Sequence, residues 1–95
     1  MPELGPLAKH DAERIAVDAL TYIAGEPELL DRFLALTGLD PAEIRQSAGE
    51  PGFLAGVLDF LVDHESFLIV YATAKNWPPE RIVAARNTLS GSGAR

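Results

Sequence analysis

The sequence contains no cysteine and only two histidines. A disulfide framework, a zinc ribbon and thiol chemistry are therefore excluded. No Glu-x-x-His pattern places an imidazole beside a carboxylate on one helical face. A phosphate-binding loop is also missing, because Gly49-Glu-Pro-Gly52 contains a proline and lacks the required lysine. We expect neither a metal site nor a bound cofactor.

Basic residues are few, with eight Lys and Arg against 14 Asp and Glu, which gives a net charge of −6. This balance disfavours binding to nucleic acid or to an anionic membrane, since phosphate contacts need a basic surface. The charge is uneven: residues 1–74 hold 13 acidic and four basic side chains, and residues 75–95 hold one acidic and four basic. The basic C-terminal segment either neutralises an acidic body or forms a docking surface.

The longest apolar stretch runs from Phe53 to Tyr71, but Asp59, Asp63 and Glu65 interrupt it. A membrane span needs about 20 consecutive apolar residues, so we expect no span. The first residues, Met-Pro-Glu-Leu-Gly-Pro, lack the basic and apolar regions of a secretory signal. We expect a cytoplasmic protein.

Apolar residues recur at three- and four-residue steps, and proline, glycine and asparagine separate the periodic segments. No segment alternates at period two beside a hairpin turn, so no sheet is expected. The prediction is an all-α fold, a compact bundle of five or six short helices in a single domain over residues 1–95. Its ends, about 1–8 and 90–95, are expected to be flexible. The predicted helices are 9–24, 27–37, 41–48, 51–63, 66–75 and 79–89.

The strongest local signal is Leu39-Asp40-Pro41-Ala42-Glu43-Ile44. Asp40 is predicted to be an N-cap, Pro41 the first helical residue and Glu43 the partner in a capping box, with Leu39 and Ile44 as a hydrophobic staple. Gly25 and Asn76 are predicted to end their helices in the left-handed conformation. Gly38 is predicted to end the second helix, and Gly49 the third.

The segment Ser66–Lys75 is predicted to be the buried central helix. The run from Phe67 to Ala72 is apolar on all sides, and such a helix is normally surrounded by others. The charged residues before it predict a break, with Asp63 as the cap of the new helix.

Three segments resemble a bacterial family of small proteins, the domain-of-unknown-function family DUF3572, from alphaproteobacterial genomes. They are residues 33–45 (FLALTGLDPAEIR), 51–61 (PGFLAGVLDFL) and 78–86 (PPERIVAAR). The resemblance covers about residues 12–89, and its matched positions are mostly caps and core. It implies an all-helical fold and a cytosolic bacterial protein, and it brings no catalytic residues.

Two arrangements of reactive side chains do not predict a catalytic or metal site. Asp63-His64-x-Ser66 has the residue types of a hydrolytic triad, but a relay needs side chains converging from separate elements. Asp59 and Asp63 lie four residues apart, yet a cation would need further converging ligands. We therefore predict that the protein is not an enzyme and has no catalytic residue.

The sequence does not specify a function, and a small non-catalytic protein-interaction or accessory module is the favoured class. Trp77, Arg81 and Arg86 are the predicted contacts with an unidentified protein partner, because they combine an aromatic anchor with the basic segment. A homo-oligomer is left open.

The alternative is a DNA-binding helix-turn-helix formed by residues 68–88. Ala72, Asn76 and Ile82 reproduce the spacing of that motif. The would-be recognition helix, however, opens with Pro78-Pro79-Glu80, and its basic residues are few for a nucleic-acid footprint.

Overall fold

The chain forms six α-helices in a computed structural model that describes residues 8–48 and 50–90. The predicted all-α bundle is confirmed, and the described residues include no strand. The predicted flexible ends fall mainly on residues 1–7 and 91–95, outside the described ranges, as does the predicted stop at Gly49. The helices are α1 (Lys9–Ala24), α2 (Pro27–Thr37), α3 (Pro41–Ser47), α4 (Pro51–Asp63), α5 (Glu65–Lys75) and α6 (Pro79–Leu89).

The helix ends follow local chemistry at three of the predicted positions. The capping box of α3 is confirmed: Glu43 N–H donates to Asp40 Oδ1 at 3.0 Å, and Asp40 N–H donates to Glu43 Oε1 at 3.0 Å. Gly38 ends α2 with a φ of 77°. Asn76 ends α5 with a φ of 60°, and the next amide, of Trp77, donates back to the Ala72 carbonyl at 2.9 Å.

Two predicted caps are wrong. Gly25 keeps a right-handed φ of −87°, since its N–H bonds to carbonyls of the last turn of α1 and the extended Glu26 changes the chain direction. Asp63 remains the last residue of α4 and does not cap α5. The break falls at His64, whose Nδ1–H donates to the Phe60 carbonyl at 2.7 Å. The histidine side chain thus caps the end of α4 instead of the start of α5.

Helices α1, α4 and α6 form the centre of the bundle. The three contacts among them are each more extensive than the contact between any other two helices. On α1 the inner stripe is rich in alanine, and Ala12, Ala16 and Ala19 are fully buried, which allows a close approach of the neighbouring helices. From α4, Val57, Leu58 and Leu61 are fully buried.

The predicted burial of α5 on all sides is wrong. Leu68, Tyr71 and Ala72 face the core, whereas Ile69 and Val70 are 43% and 52% exposed. The reason is topological: α5 packs mainly on α4 and α6, so only one side of this all-round apolar helix is covered. The interior position belongs to α4, whose apolar residues are also distributed over most of its circumference.

None of the helices in the described ranges is both long enough and apolar enough to cross a membrane.

Candidate functional site

A polar link between α1 and α5 lies beside the predicted docking residues. The hydroxyl of Tyr71, whose side chain is fully buried, donates to Asp18 Oδ2 at 2.6 Å. Lys75 Nζ lies 3.0 Å from the other carboxylate oxygen, Oδ1. Burial, and then the hydrogen bond to Asp18 and the charge of Asp18, raise the pKa of Tyr71 well above its ordinary value. Tyr71 therefore stays protonated to higher pH than an exposed tyrosine, and it donates its hydroxyl proton to Asp18.

Tyr71 also joins two aromatic side chains at the end of the bundle. Its ring centroid lies 5.2 Å from that of Tyr22 and 6.0 Å from that of Trp77, the latter edge to face. Trp77 is half-buried in the turn between α5 and α6, where it covers Tyr71. The turn is thereby held against α1 by apolar contact as well as by the link through Asp18.

Trp77 and Arg81 lie together, as the sequence predicts for a common surface. The Arg81 guanidinium carbon lies 5.0 Å from the centroid of the Trp77 ring, within the range of a cation–π contact. Both residues line a groove of about 440 Å³ against α1. We call this the Trp77 groove, and its lining residues are Asp11, Arg14, Ile15, Asp18, Trp77 and Arg81.

The cations of the Trp77 groove have few partners of their own. Arg14 and Arg81 enter no ion pair within residues 8–48 and 50–90. The Nε of Arg81 is buried and makes no hydrogen bond to any described atom. Asp18, in contrast, is already bonded to Tyr71 and Lys75. The groove therefore combines two guanidinium groups, an aromatic wall and one further carboxylate, that of Asp11.

The third predicted contact, Arg86, lies apart from the other two. It follows Arg81 by five residues, which turns it by roughly 140° around α6. Its Nη1 pairs with Asp59 Oδ1 of α4 at 3.2 Å, with side chains 29% and 46% exposed, and its Nε donates to Asn87 Oδ1 at 3.1 Å. The structure thus groups Trp77 with Arg81 and uses Arg86 to join α6 to α4.

A broader groove of about 540 Å³ along α1 includes His10, Glu13 and Thr21. The Thr21 hydroxyl donates to the Val17 carbonyl at 3.0 Å, so no base is placed to activate it. Among the described residues, no group of three or more histidine or acidic side chains is placed to hold a metal ion.

Sequence reasoning missed a groove between α2 and α5 that has both apolar and charged lining residues. Phe67 and Val70 of α5 and Leu29 of α2 line a groove of about 240 Å³, whose lining also includes Glu26, Glu28 and Arg32. The Arg32 guanidinium carbon lies 5.8 Å from the Phe67 ring centroid. The signal was present, since residues 66–74 contain no charged side chain. An uncharged segment of this kind predicts burial, because sequence alone does not show how many sides of a helix other helices cover.

Comparison with known proteins gives a family whose function is unknown. No curated protein and no solved structure matches the chain. The model of DUF3572, described as a protein of unknown function, matches residues 9–92, from the first residue of α1 to beyond the end of α6. This agrees with the resemblance seen in the caps and core of the sequence. The chain belongs to the DUF3572 family.

Proposed function

We propose that the protein is a non-catalytic protein-interaction module that acts in the cytoplasm and binds a partner protein at the Trp77 groove. The observation that carries this proposal is the stack of Arg81 on Trp77, with the guanidinium carbon 5.0 Å from the ring centroid, at the wall of a groove where Arg81 has no carboxylate partner among the described residues. Tryptophan and arginine are the residue types most often responsible for binding energy at protein interfaces.

The charges of the groove indicate the chemistry of the partner. The lining includes the guanidinium groups of Arg14 and Arg81. Of its two carboxylates, Asp18 already bonds to Tyr71 and Lys75, which leaves only that of Asp11. An acidic side chain of the partner would pair with a guanidinium, and the geometry of such a pair is favourable when it is bidentate. We therefore propose a partner segment that brings a carboxylate to Arg81 and an apolar group to Trp77.

The polar groups of the described residues support a role without catalysis. Tyr71 is held protonated, the Thr21 hydroxyl bonds to the backbone, and His64 donates Nδ1–H to the Phe60 carbonyl. A hydrolytic site would need a nucleophile in contact with a base that is itself oriented by a third group. The residues of Asp63-His64-x-Ser66 make no hydrogen bond to one another in the described part of the chain.

The helix-turn-helix alternative gains no support from the packing. Its recognition helix would be α6, which packs on α1 and α4 and buries Ile82, Ala85 and Leu89. The exposed positions of α6 are Glu80 and Asn87, and Arg81 and Arg86 are only half-exposed, so little basic surface is free to enter a major groove. We do not advance DNA binding as a second function.

Trp77 is the only tryptophan, so its fluorescence reports directly on the groove. We would titrate the full chain with short peptides that pair a glutamate with a leucine, and with matched peptides that carry glutamine. The glutamate peptides are expected to shift Trp77 emission, and Arg81→Ala is expected to weaken their binding about tenfold, as expected for loss of a charge-assisted bond. Arg45→Ala, which removes an exposed arginine of α3, is the matched control.

The same variants test the natural partner. A protein that co-purifies with the chain should be lost with Trp77→Ala and Arg81→Ala and retained with Arg45→Ala. Arg86→Ala is expected to have a smaller effect, because Arg86 pairs with Asp59. If folded Trp77→Ala and Arg81→Ala proteins retain every partner and the emission is unchanged by glutamate peptides, the proposal is wrong.

A further inference from the structure

The groove of about 540 Å³ along α1 lies beside the Trp77 groove, and we call it the α1 groove. Its apolar lining residues are Val17 of α1, Ala48 at the end of α3 and Leu54 of α4. Leu54 is buried and Ala48 is half-buried, whereas Val17 is 45% exposed. The α1 groove therefore presents an apolar surface that an incoming side chain can cover.

The α1 groove and the Trp77 groove are adjacent, because Arg14 and Asp18 line both of them. These two residues are four positions apart, so they lie one above the other and form a ridge along α1. By the helical period, Val17 of the α1 groove lies on one side of this ridge and Ile15 of the Trp77 groove lies on the other. A chain segment that leaves the Trp77 groove across Arg14 therefore enters the α1 groove.

The charges without partners differ between the two sides of the ridge. On the Trp77 side, the guanidinium groups of Arg14 and Arg81 outnumber the one carboxylate that is not already bonded, that of Asp11. On the other side, the carboxylate is that of Glu13, which enters no ion pair within residues 8–48 and 50–90. A partner with an acidic group on the first side and a basic group on the second matches both sets of charges.

We propose that the partner segment at the Trp77 groove continues across Arg14, places a second apolar side chain in the α1 groove and brings a basic side chain to Glu13. This extension rests on the proposed function, because it concerns the same partner. The path across the ridge is roughly 10–15 Å, since a helix with its side chains is about 10–12 Å wide. An extended segment covers that path in about four residues. The partner thus has two apolar residues about four positions apart, with an acid at one end and a base at the other.

Three peptides test the second apolar contact, with the emission of Trp77, the only tryptophan, as the measure of binding to the full chain. The short peptide has one glutamate and one leucine. The long peptide adds a glycine-serine spacer, a second leucine about four positions from the first, and a lysine. The serine peptide is the long peptide with serine in place of the second leucine. The long peptide is expected to bind about tenfold more tightly than the serine peptide, because burial of one leucine contributes about that factor.

Variants of the chain place this gain in the α1 groove. Val17→Ser should remove the advantage of the long peptide over the serine peptide and should leave binding of the short peptide unchanged. Val70→Ser is the matched control, since Val70 is also a half-exposed helical valine, at 52%, and lies on α5. Circular dichroism of both variants checks that they are folded.

Two further peptides test the spacing and the order of charges. A long peptide rearranged so that its leucines are adjacent cannot reach both grooves, and it should bind as weakly as the serine peptide. A long peptide that ends in glutamate should bind about threefold more weakly than the one that ends in lysine, as expected for an exposed ion pair. Glu13→Gln should remove most of that difference.

The outcomes separate this extension from the proposed function. If the short peptide binds through Arg81 but the long and serine peptides bind equally, the extension is wrong and the proposed function stands. A gain that survives Val17→Ser, or that the adjacent leucines also give, overturns the placement in the α1 groove. If none of the peptides changes the Trp77 emission, the proposed function is wrong, and the extension falls with it.

Discussion

The hydroxyl of Tyr71 donates a 2.6 Å hydrogen bond to Asp18 across 53 residues of sequence. This bond joins α1 to α5, and Lys75 binds the second oxygen of the same carboxylate. Beside it, Trp77 packs on the Tyr71 ring and carries Arg81 above its own ring. The link therefore supports both the turn and the wall of the Trp77 groove, and it can be tested in isolation.

Tyr71→Phe is expected to lower the free energy of unfolding by about 1 kcal/mol, because it removes one hydrogen bond to a partly exposed carboxylate and keeps the buried ring. Tyr71→Ala should cost about 4 kcal/mol, since it also leaves a cavity beneath Tyr22 and Trp77. Urea unfolding measures both values. If both variants lose the same unfolding free energy, the packing of the Tyr71 ring does not contribute more to stability than its hydrogen bond.

Stability should fall at high pH through Tyr71. Because the folded pKa of Tyr71 is raised above its unfolded value of about 10, its contribution is fully present below pH 10 and is lost as the pH rises above it. The loss should approach about 1.4 kcal/mol per pH unit. Urea midpoints between about pH 8 and pH 11 test this. Tyr71→Phe should lack this component of the slope, and an identical slope in both proteins would refute it.

Asp40→Ala should destabilise α3 locally. The substitution removes one half of the capping box, typically worth about 1 kcal/mol. None of the residues of α3 is buried, so the helix depends on its cap more than on packing. Hydrogen exchange should show faster exchange at the amide of Glu43, with little change in α4. Unchanged protection of α3 would show that the capping box contributes nothing measurable.

The ion pair between Arg86 and Asp59 should contribute little to stability. Both side chains are partly exposed, at 29% and 46%, and pairs of this kind are typically worth about 0.2–1 kcal/mol. A double-mutant cycle of Arg86→Ala and Asp59→Ala measures the coupling, which should shrink further in high salt. A coupling energy above about 2 kcal/mol would contradict this and would show that the ion pair contributes strongly to the packing of α6 on α4.

Two valines test the position of α5 in the bundle. Val57 of α4 is fully buried, and Val57→Ala is expected to cost about 2 kcal/mol. Val70 of α5 is 52% exposed, so Val70→Ala should change the free energy of unfolding of the monomer by less than about 0.5 kcal/mol. Urea unfolding at low protein concentration makes the comparison. Equal losses of unfolding free energy for the two variants would contradict the exposure of Val70 and would support the burial of α5 that the sequence predicts.

The sequence alone determined where most of the helices begin and end. The capping box of Asp40 and Glu43 and the left-handed caps at Gly38 and Asn76 involve only the backbone groups of their own helix ends. The information that specifies these ends therefore lies within a few residues. The same locality explains why five of the six helices begin where predicted and α5 begins one residue earlier, at Glu65.

Only the tertiary structure decided which apolar faces are covered. Ile69 and Val70 are as apolar as Leu68, but their exposure depends on which helices pack beside α5, and no property of residues 66–75 encodes that. The links from Tyr71 to Asp18 and from Arg86 to Asp59 are likewise set by how distant segments meet. Local hydrogen bonding can be read in order along a chain, whereas burial is a property of the whole packed assembly of helices.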